Sequence, residues 1–509
     1  MEIEETLYEL LESINEAAKL LGKEKITNEY VKQQYGDEAL KKIRACGLFD
    51  YDNGWCINEE GRRILRNKNK TPVKREEEKY ERMLREGFVA VDEDGRIVKI
   101  IRENVVNYIL ETEPPFFTVD DTEEMYRYTD GVYIPWKESQ IRHLIKDLVG
   151  KLATRTEMAE IINQLKYTKV ISRSELNKDK RLNLSNGLLD LETRTLDEHT
   201  PFNFSTIRIP VKYDPDATCP KIDAFLHDVL DDTDVKGIYE LAGYLLVQNY
   251  DFQKAWMFIG EGNNGKSTVI SLLEKFIGQK NCSHVPLQTL LKSRFSSSQL
   301  YDKLANTYAD IPAKGLYETG VFKMLTGGDE IFAEKKFKDP FSFKNKAKLI
   351  FSCNELPVTS DKTHAFFRRW IIIQFNKTIK NPDKNILNEI TTPTELSGFL
   401  NKALDGLERL IKNDKFTNEK STDEMADLYQ RMSDPAYEFF LQKLKPDPEG
   451  YCISSKLYTD FINFCNENKL PAKSKQYFFK QLPTFCSCYK TRKLIEGNRE
   501  WVVQGVVYR

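Results

Sequence analysis

Residues 256–273 read WMFIGEGNNGKSTVISLL, an apolar run that meets a glycine-rich loop and then a helical pattern. Gly260, Gly265, Lys266 and Ser267 satisfy the G-x-x-x-x-G-K-[ST] spacing. That spacing lets backbone N–H groups wrap a polyphosphate while the lysine reaches the outer phosphates and the hydroxyl holds Mg²⁺. The cradle is expected to comprise Gly260, Glu261, Gly262, Asn263, Asn264, Gly265, Lys266, Ser267 and Thr268. A helix opening at Lys266 adds its positive dipole end to the same phosphates. The competing reading is a chance glycine turn, but the loop lies between the strand and helix patterns that the motif requires.

At 509 residues the chain is too long for one core, and ~150 residues per domain gives about three or four units. Charged residues make up 30% yet nearly cancel to a formal charge of −2, so any nucleic-acid-binding surface must be local. No apolar run approaches the ~20 residues of a membrane span. The opening MEIEETLYELLE is acidic where a signal peptide is basic, so a cytoplasmic protein is expected. Nine scattered cysteines fit a reducing compartment. Cys486 and Cys488 form a close pair without the further ligands that structural zinc needs.

The first 73 residues pattern as helix, helix, hairpin and helix, in the manner of a winged helix-turn-helix. Lys41, Lys42 and Arg44 fall on the candidate recognition helix and Asp52 to Gly54 at the wing tip; the acidic neighbours Asp37, Glu38 and Asp50 leave protein binding equally open. Residues 74–88 read as an exposed, charged helical linker. Residues 89–235 mix aromatic-rich strands, with a hairpin turn at Asp130-Gly131, and apolar helices.

Beyond the glycine-rich loop, LANTYADI is a strand whose end carries Asp310, either a turn residue or the acid that holds a Mg²⁺ water shell. Residues 331–343 read as two short strands around Lys335, Lys336, Phe337 and Lys338. A cationic tip with an aromatic ring suits a single nucleic-acid strand, ammonium to phosphate and ring to base; a solvated surface hairpin is the alternative. LIFSCNELP ends an apolar strand in Asn354, and HAFFRRWIIIQF sets Arg368 and Arg369 before another. Paired arginines beside a buried strand often make structural ion pairs, but a γ-phosphate also needs a cation from outside its own loop.

This order of motifs resembles the superfamily 3 helicases, in the branch of phage, plasmid and poxvirus primase-helicases, over about Tyr126 to Phe416. The resemblance implies an α/β chain with an AAA+-type P-loop NTPase core, flanked by winged-helix-like helical domains. It also implies a ring-shaped homohexamer that uses ATP and Mg²⁺ to move 3′ to 5′ along single-stranded DNA. On this basis Lys266 and Ser267 bind phosphates and metal, Asp310 is the Walker B acid and second metal residue, and Asn354 is the sensor for the attacking water. Lys336 is the foremost DNA-contacting lysine; Arg369 is the finger into the neighbour's site, with Arg368 second. Many relatives carry two adjacent acids at Walker B, whereas Asp310 is followed by Ile311 and Pro312, so the catalytic base stays open.

Residues 236–420 would form the ATPase domain and 434–509 a second winged-helix-like, DNA-binding domain of three helices and a strand pair turning at Glu496-Gly497-Asn498. Its wing would be basic through Lys490, Arg492, Lys493 and Arg499, with Tyr458, Phe461, Phe464 and Phe478 as core. The expected function is a replicative helicase of a virus, plasmid or integrated element, acting on single-stranded and forked or origin duplex DNA. The alternative is an ATP-switched initiator that melts an origin without processive unwinding; a signalling ATPase would not need the lysine hairpin. No primase motif is evident, so a separate primase or polymerase would supply primers.

Overall fold

A computed structural model describes residues 72–509, apart from 313–314, 335, 337–339, 380–381, 469, 471 and 496, and a strand pair near the N-terminus. That pair, Phe49–Tyr51 with Trp55–Ile57, is antiparallel. The remainder of the expected N-terminal winged helix, including Lys41, Lys42, Arg44 and the Asp52 to Gly54 tip, lies outside the described residues. Among the described residues no helix is long and apolar enough to cross a membrane.

The chain divides into two compact units. The first takes in the described residues up to Thr118 together with Glu123–Met125 and Pro135–Val170. Its helices Pro72–Arg85, Arg102–Thr112, Glu138–Val149 and Arg155–Thr168 surround a core that includes Val105, Ile145 and Leu165. The segment expected as an exposed linker is helical, and its Met83 and Phe88 enter that same core.

The second unit comprises Val119–Thr122, Tyr126–Ile134 and Ile171–Arg509. It is built on a parallel sheet of five strands: β1 (Ala255–Ile259), β2 (Cys282–Ser283), β3 (Ala305–Tyr308), β4 (Lys348–Cys353) and β5 (Trp370–Gln374). Their spatial order is β2-β3-β4-β1-β5. Both faces are covered, as parallel sheets require. The two-residue strand period sends Trp256 and Phe258 of β1 into one core and Ala255, Met257 and Ile259 into the other. Ile350 of β4 and Ile371 and Ile373 of β5 share the first core, whereas Phe351 and Ile372 share the second.

On the first face lie helices α1 (Asp232–Leu246), α2 (Lys266–Ile277) and α3 (Pro393–Asn413). Helix α1 runs unbroken through the boundary expected at 235/236, because its buried pattern continues from Val235 to Leu246. It crosses α3 closely: a Cβ on Gly243 would come within 2.3 Å of the Ala403 carbonyl oxygen, and one on Gly406 within 2.5 Å of the Tyr239 carbonyl oxygen.

The C-terminal part has its own core around Phe439, Phe461, Phe464, Phe478 and Val503. Helices Pro435–Lys443, Ser454–Glu467 and Lys475–Phe485 accompany strands Tyr489–Ile495 and Asn498–Tyr508. A third strand, Leu444–Ile453, pairs with Asn498–Tyr508 at the sheet edge. The sequence reading missed it because KPDPEG looks like a loop. Prolines are tolerated on an edge strand, and the register shifts between Pro446 and Tyr451.

Candidate functional site

The strand register brings the carboxyl ends of β1, β4 and β5 level: Ile259 pairs with Cys353 on one side and with Gln374 on the other. Gly260 and Asn354, the next residues along, therefore emerge at the same edge. Tyr308 of β3 pairs with Phe351, and the Ile311 amide donates to the Ser352 carbonyl at 2.9 Å, which brings Asp310 to that edge too. Ligands of open α/β sheets bind outside the carboxyl ends of the strands.

The glycine-rich loop joins β1 to α2. Gly265 caps α2 at φ +88°, and a Cβ there would lie 2.7 Å from Val229 Cγ1, so the position accepts glycine alone. Two bonds fasten the loop to the chain after β5: the Asn264 amide donates to the Phe375 carbonyl at 3.1 Å, and the Ile379 amide to the Asn263 carbonyl at 2.9 Å. Glu261, Gly262 and Asn263 are exposed, Thr268 is half-buried, and Ser267 is exposed in the first turn of α2. The first N–H groups of that turn have no intrahelical acceptor.

Lys266 is buried, and its ammonium is turned back on the loop. It donates to the Gly260 carbonyl, to the Glu261 carbonyl at 3.2 Å and to Asn264 Oδ1 at 3.2 Å. Burial lowers its pKa, and the nearby negative charge of Asp310 opposes that shift. A desolvated ammonium held by neutral oxygens is matched to an incoming anion. Asp310 is exposed, with a left-handed φ of 52°, and its amide donates to Ser352 Oγ at 3.3 Å. An exposed hydroxyl and an exposed carboxylate fit Mg²⁺, which takes one or two protein oxygens and completes its shell with water and phosphate.

Asn354 is exposed at the end of β4. Arg369 is 7% exposed; its guanidinium donates to the Ala365 carbonyl, and its Nε has no hydrogen-bond partner among the described residues. Burial, then the neighbouring Arg368, lowers its pKa against the pull of Asp329. Arg368 is half-buried and donates to Gln253 Oε1 at 2.6 Å. Of the two arginines, Arg369 is thus held within its own chain, whereas Arg368 lies nearer solvent.

The expected hairpin is present, Glu330–Ala333 paired antiparallel with Phe341–Lys344. It follows a helix that ends at Gly327, with Gly328 at φ +80°. Ile331, Ala333 and Phe343 anchor it in the second core, and the buried Asn345 amide clips its root by donating to the Leu325 carbonyl at 2.8 Å. Lys336 is exposed; Lys335, Phe337 and Lys338 lie outside the described residues.

One cluster escaped the sequence reading. Thr307 Oγ1 donates to Glu274 Oε1 at 2.5 Å and lies 3.1 Å from His284 Nδ1. These residues and Ser267 line a cavity of about 360 Å³ beside α2. The available signal was the helical spacing of Ser267, Ser271 and Glu274, which sets them on one face of α2. The strand partners were not legible.

Residues 29–231 match the family described as D5 N terminal like, and residues 258–369 match a family of unknown function, DUF5906. The chain is 28% identical over 215 residues to "Putative helicase L207/L206" of Acanthamoeba polyphaga mimivirus, a match covering 40% of this chain and 22% of that one. It is 26% identical over 235 residues to "Putative helicase 022R" of Frog virus 3 (isolate Goorha), covering 41% and 24%. The chain thus spans under a quarter of the length of these relatives. Among solved structures, the A form apo structure of NrS-1 C terminal region-CTR aligns with a TM-score of 0.46 at 14% identity, covering 79% of this chain and 98% of that one. The chain is thus similar to the D5 N terminal like family over residues 29–231 and, over about two-fifths of its length, to viral proteins named as putative helicases.

Proposed function

We propose that the chain is an ATP-dependent DNA helicase of superfamily 3 type, working as a homohexamer on single-stranded DNA at a fork or origin. The observation that carries this reading is the gathering of Lys266, Ser267, Asp310 and Asn354 at the carboxyl edge of one parallel sheet. The strand order β2-β3-β4-β1-β5 and the loop between β1 and α2 support an AAA+-type core. Residues 260–268 bind the ATP phosphates. Lys266 swings from its loop carbonyls to the outer phosphates, where the fixed charge stabilises the transferring group. Ser267 and Asp310 hold Mg²⁺, which offsets the phosphate charge when bound. Asn354 orients the attacking water. Because Arg369 is buried in its own subunit, the finger role falls to Arg368.

The hairpin engages the DNA strand, with Lys336 foremost and Lys335, Phe337 and Lys338 beside it in the sequence. That hairpin favours translocation over the origin-melting initiator, which uses the same nucleotide site. Primers come from a separate primase or polymerase. The test is ATP hydrolysis with and without single-stranded DNA, together with strand displacement on a forked substrate. Stimulated hydrolysis with displacement supports the helicase; nucleotide-dependent melting of a duplex without displacement supports the initiator. ATP turnover that ignores DNA, with neither unwinding nor melting, overturns both.

A further inference from the structure

A second cavity, of about 420 Å³, lies at the other edge of the sheet, where the parallel strands begin. Leu304, just before β3, and Lys346, just before β4, are in its wall. From Lys346 to Asn354 the chain runs eight residues along β4, about 26 Å at ~3.3 Å per residue, so this cavity is distinct from the glycine-rich loop. Its volume falls within the ~300–1,000 Å³ typical of small-molecule sites.

The lining combines three chemistries. Lys178, Lys180, Arg181 and Lys346 face one carboxylate, Asp179. Arg181 is already committed to Asp179 at 2.6 Å and Asp197 at 2.9 Å. Among the described residues the three lysines make no ion pair. Among the described residues Lys346 donates to Gln248 Oε1 alone, at 3.3 Å, and burial lowers its pKa against the opposing charge of Asp302. The Asp302 carboxylate is itself occupied by Thr206 Oγ1 at 2.6 Å and the Asn177 amide at 2.9 Å. Leu182, Ile207 and Leu246, all buried, supply an apolar wall.

The third element is Asn203. It is 6% exposed as a residue and lines the cavity. A side-chain amide in a cavity wall offers a donor and an acceptor side by side. That pair matches the edge of a nucleobase, as in amide recognition of adenine.

We propose that this cavity is a second nucleotide site, which takes a nucleoside 5′-phosphate. The base lies against the apolar wall with its edge on Asn203, and the phosphate is held by Lys178, Lys180 and Lys346. The ligand is either a free nucleotide or a nucleotide of a DNA strand. Lys346 lies two residues past the hairpin strand Phe341–Lys344, so occupancy bears directly on the hairpin root. The assignment does not depend on the activity proposed above.

The test is calorimetric titration of the full chain with deoxyadenosine monophosphate, which lacks the outer phosphates that Lys266 serves. Binding should survive Lys266→Ala and weaken roughly tenfold or more in Asn203→Leu and in the exposed pair Lys178→Gln/Lys180→Gln. The lysine pair guards against a folding defect from the buried substitution, and thermal melting checks both. A 5′-phosphorylated deoxyadenosine oligonucleotide forms the second arm. If it alone binds, with the same sensitivity to Asn203 and the lysines, the ligand is a nucleotide of a strand. Binding of the monophosphate that is lost with Lys266→Ala, or that is untouched by the Asn203 and lysine variants, overturns the site; so does no binding of the monophosphate together with oligonucleotide binding that is absent or ignores those variants. Failure of the helicase reading is read separately, as absence of Lys266-dependent hydrolysis.

Discussion

Lys473 is ion-paired with Glu355, the residue after Asn354, so the loop that carries the candidate sensor is tied to the segment that leads into the C-terminal helix Lys475–Phe485. Both side chains are about a quarter exposed, and a pair of that kind contributes at most ~1 kcal/mol. Its consequence should therefore be kinetic. Lys473→Ala is expected to leave the melting temperature nearly unchanged and to lower DNA-stimulated ATP hydrolysis severalfold, because the loop loses its tether. The charge swap Lys473→Glu/Glu355→Lys should recover most of the rate; a swap as slow as the single variant would show that the pair does not position the loop.

Lys266→Ala should abolish ATP hydrolysis and keep the fold. Among the described residues the ammonium bonds only to its own loop, to the Gly260 and Glu261 carbonyls and to Asn264. Removing it deletes the charge on the outer phosphates without opening the core. Circular dichroism and melting check the fold, and phosphate release checks the rate. Unchanged turnover would remove the loop from the mechanism.

The parallel sheet was legible in the sequence for a physical reason. Strands buried on both faces are nearly continuous apolar runs, as AWMFI and WIIIQ are, and the loop between strand and helix has a fixed chemical spacing. Asp310 and Asn354 stood out in the sequence as polar residues that follow strand-like runs, and the structure brings both to the carboxyl edge of the sheet. Three things were not legible. The edge strand Leu444–Ile453 hides behind prolines, the Glu274–Thr307–His284 cluster is made by residues 33 and 23 apart, and the burial of Arg369 depends on packing against elements distant in the chain. Two adjacent arginines have identical chemistry in a sequence. Only packing separates them.

Lys348 should make stability depend on alkaline pH. Its side chain is fully buried in β4, donates to the Val247 carbonyl and lies with Nζ 4.5 Å from the Tyr244 ring centre. Burial, then Lys346, pushes its pKa down from 10.5 to about 7, with Asp251 opposing. Between that value and the unfolded lysine value of ~10.4 the unfolded chain binds the extra proton, so wild-type stability rises with pH across this window. It is highest above the unfolded value and is lost as pH falls through 7. A Lys348→Met variant lacks this slope. Its stability relative to wild type, followed by thermal or denaturant melting, should be most favourable near pH 7 and decline towards pH 10; a difference flat in pH would show that Lys348 stays charged in the fold.

The two arginines separate by assembly. Arg369→Ala removes a side chain packed inside its own subunit, so it should lower the melting temperature and reduce activity only in step with folding. Arg368→Ala should melt near wild type, since it gives up one bond to Gln253 at a half-buried position. It should bind ATP through its own Lys266 yet lose hydrolysis by roughly 10³ or more, the scale of other arginine fingers. Mixing Arg368→Ala with Lys266→Ala subunits should then restore part of the activity. A neighbouring pair in a mixed ring can supply one intact phosphate loop and one intact finger, which neither pure ring contains. The measurement is ATP hydrolysis across mixing ratios, with sizing to establish that rings form. Rescue by Arg369→Ala instead of Arg368→Ala would return the finger to Arg369 despite its burial. Full turnover by a monomer would remove the neighbour, and with it the ring, from the chemistry.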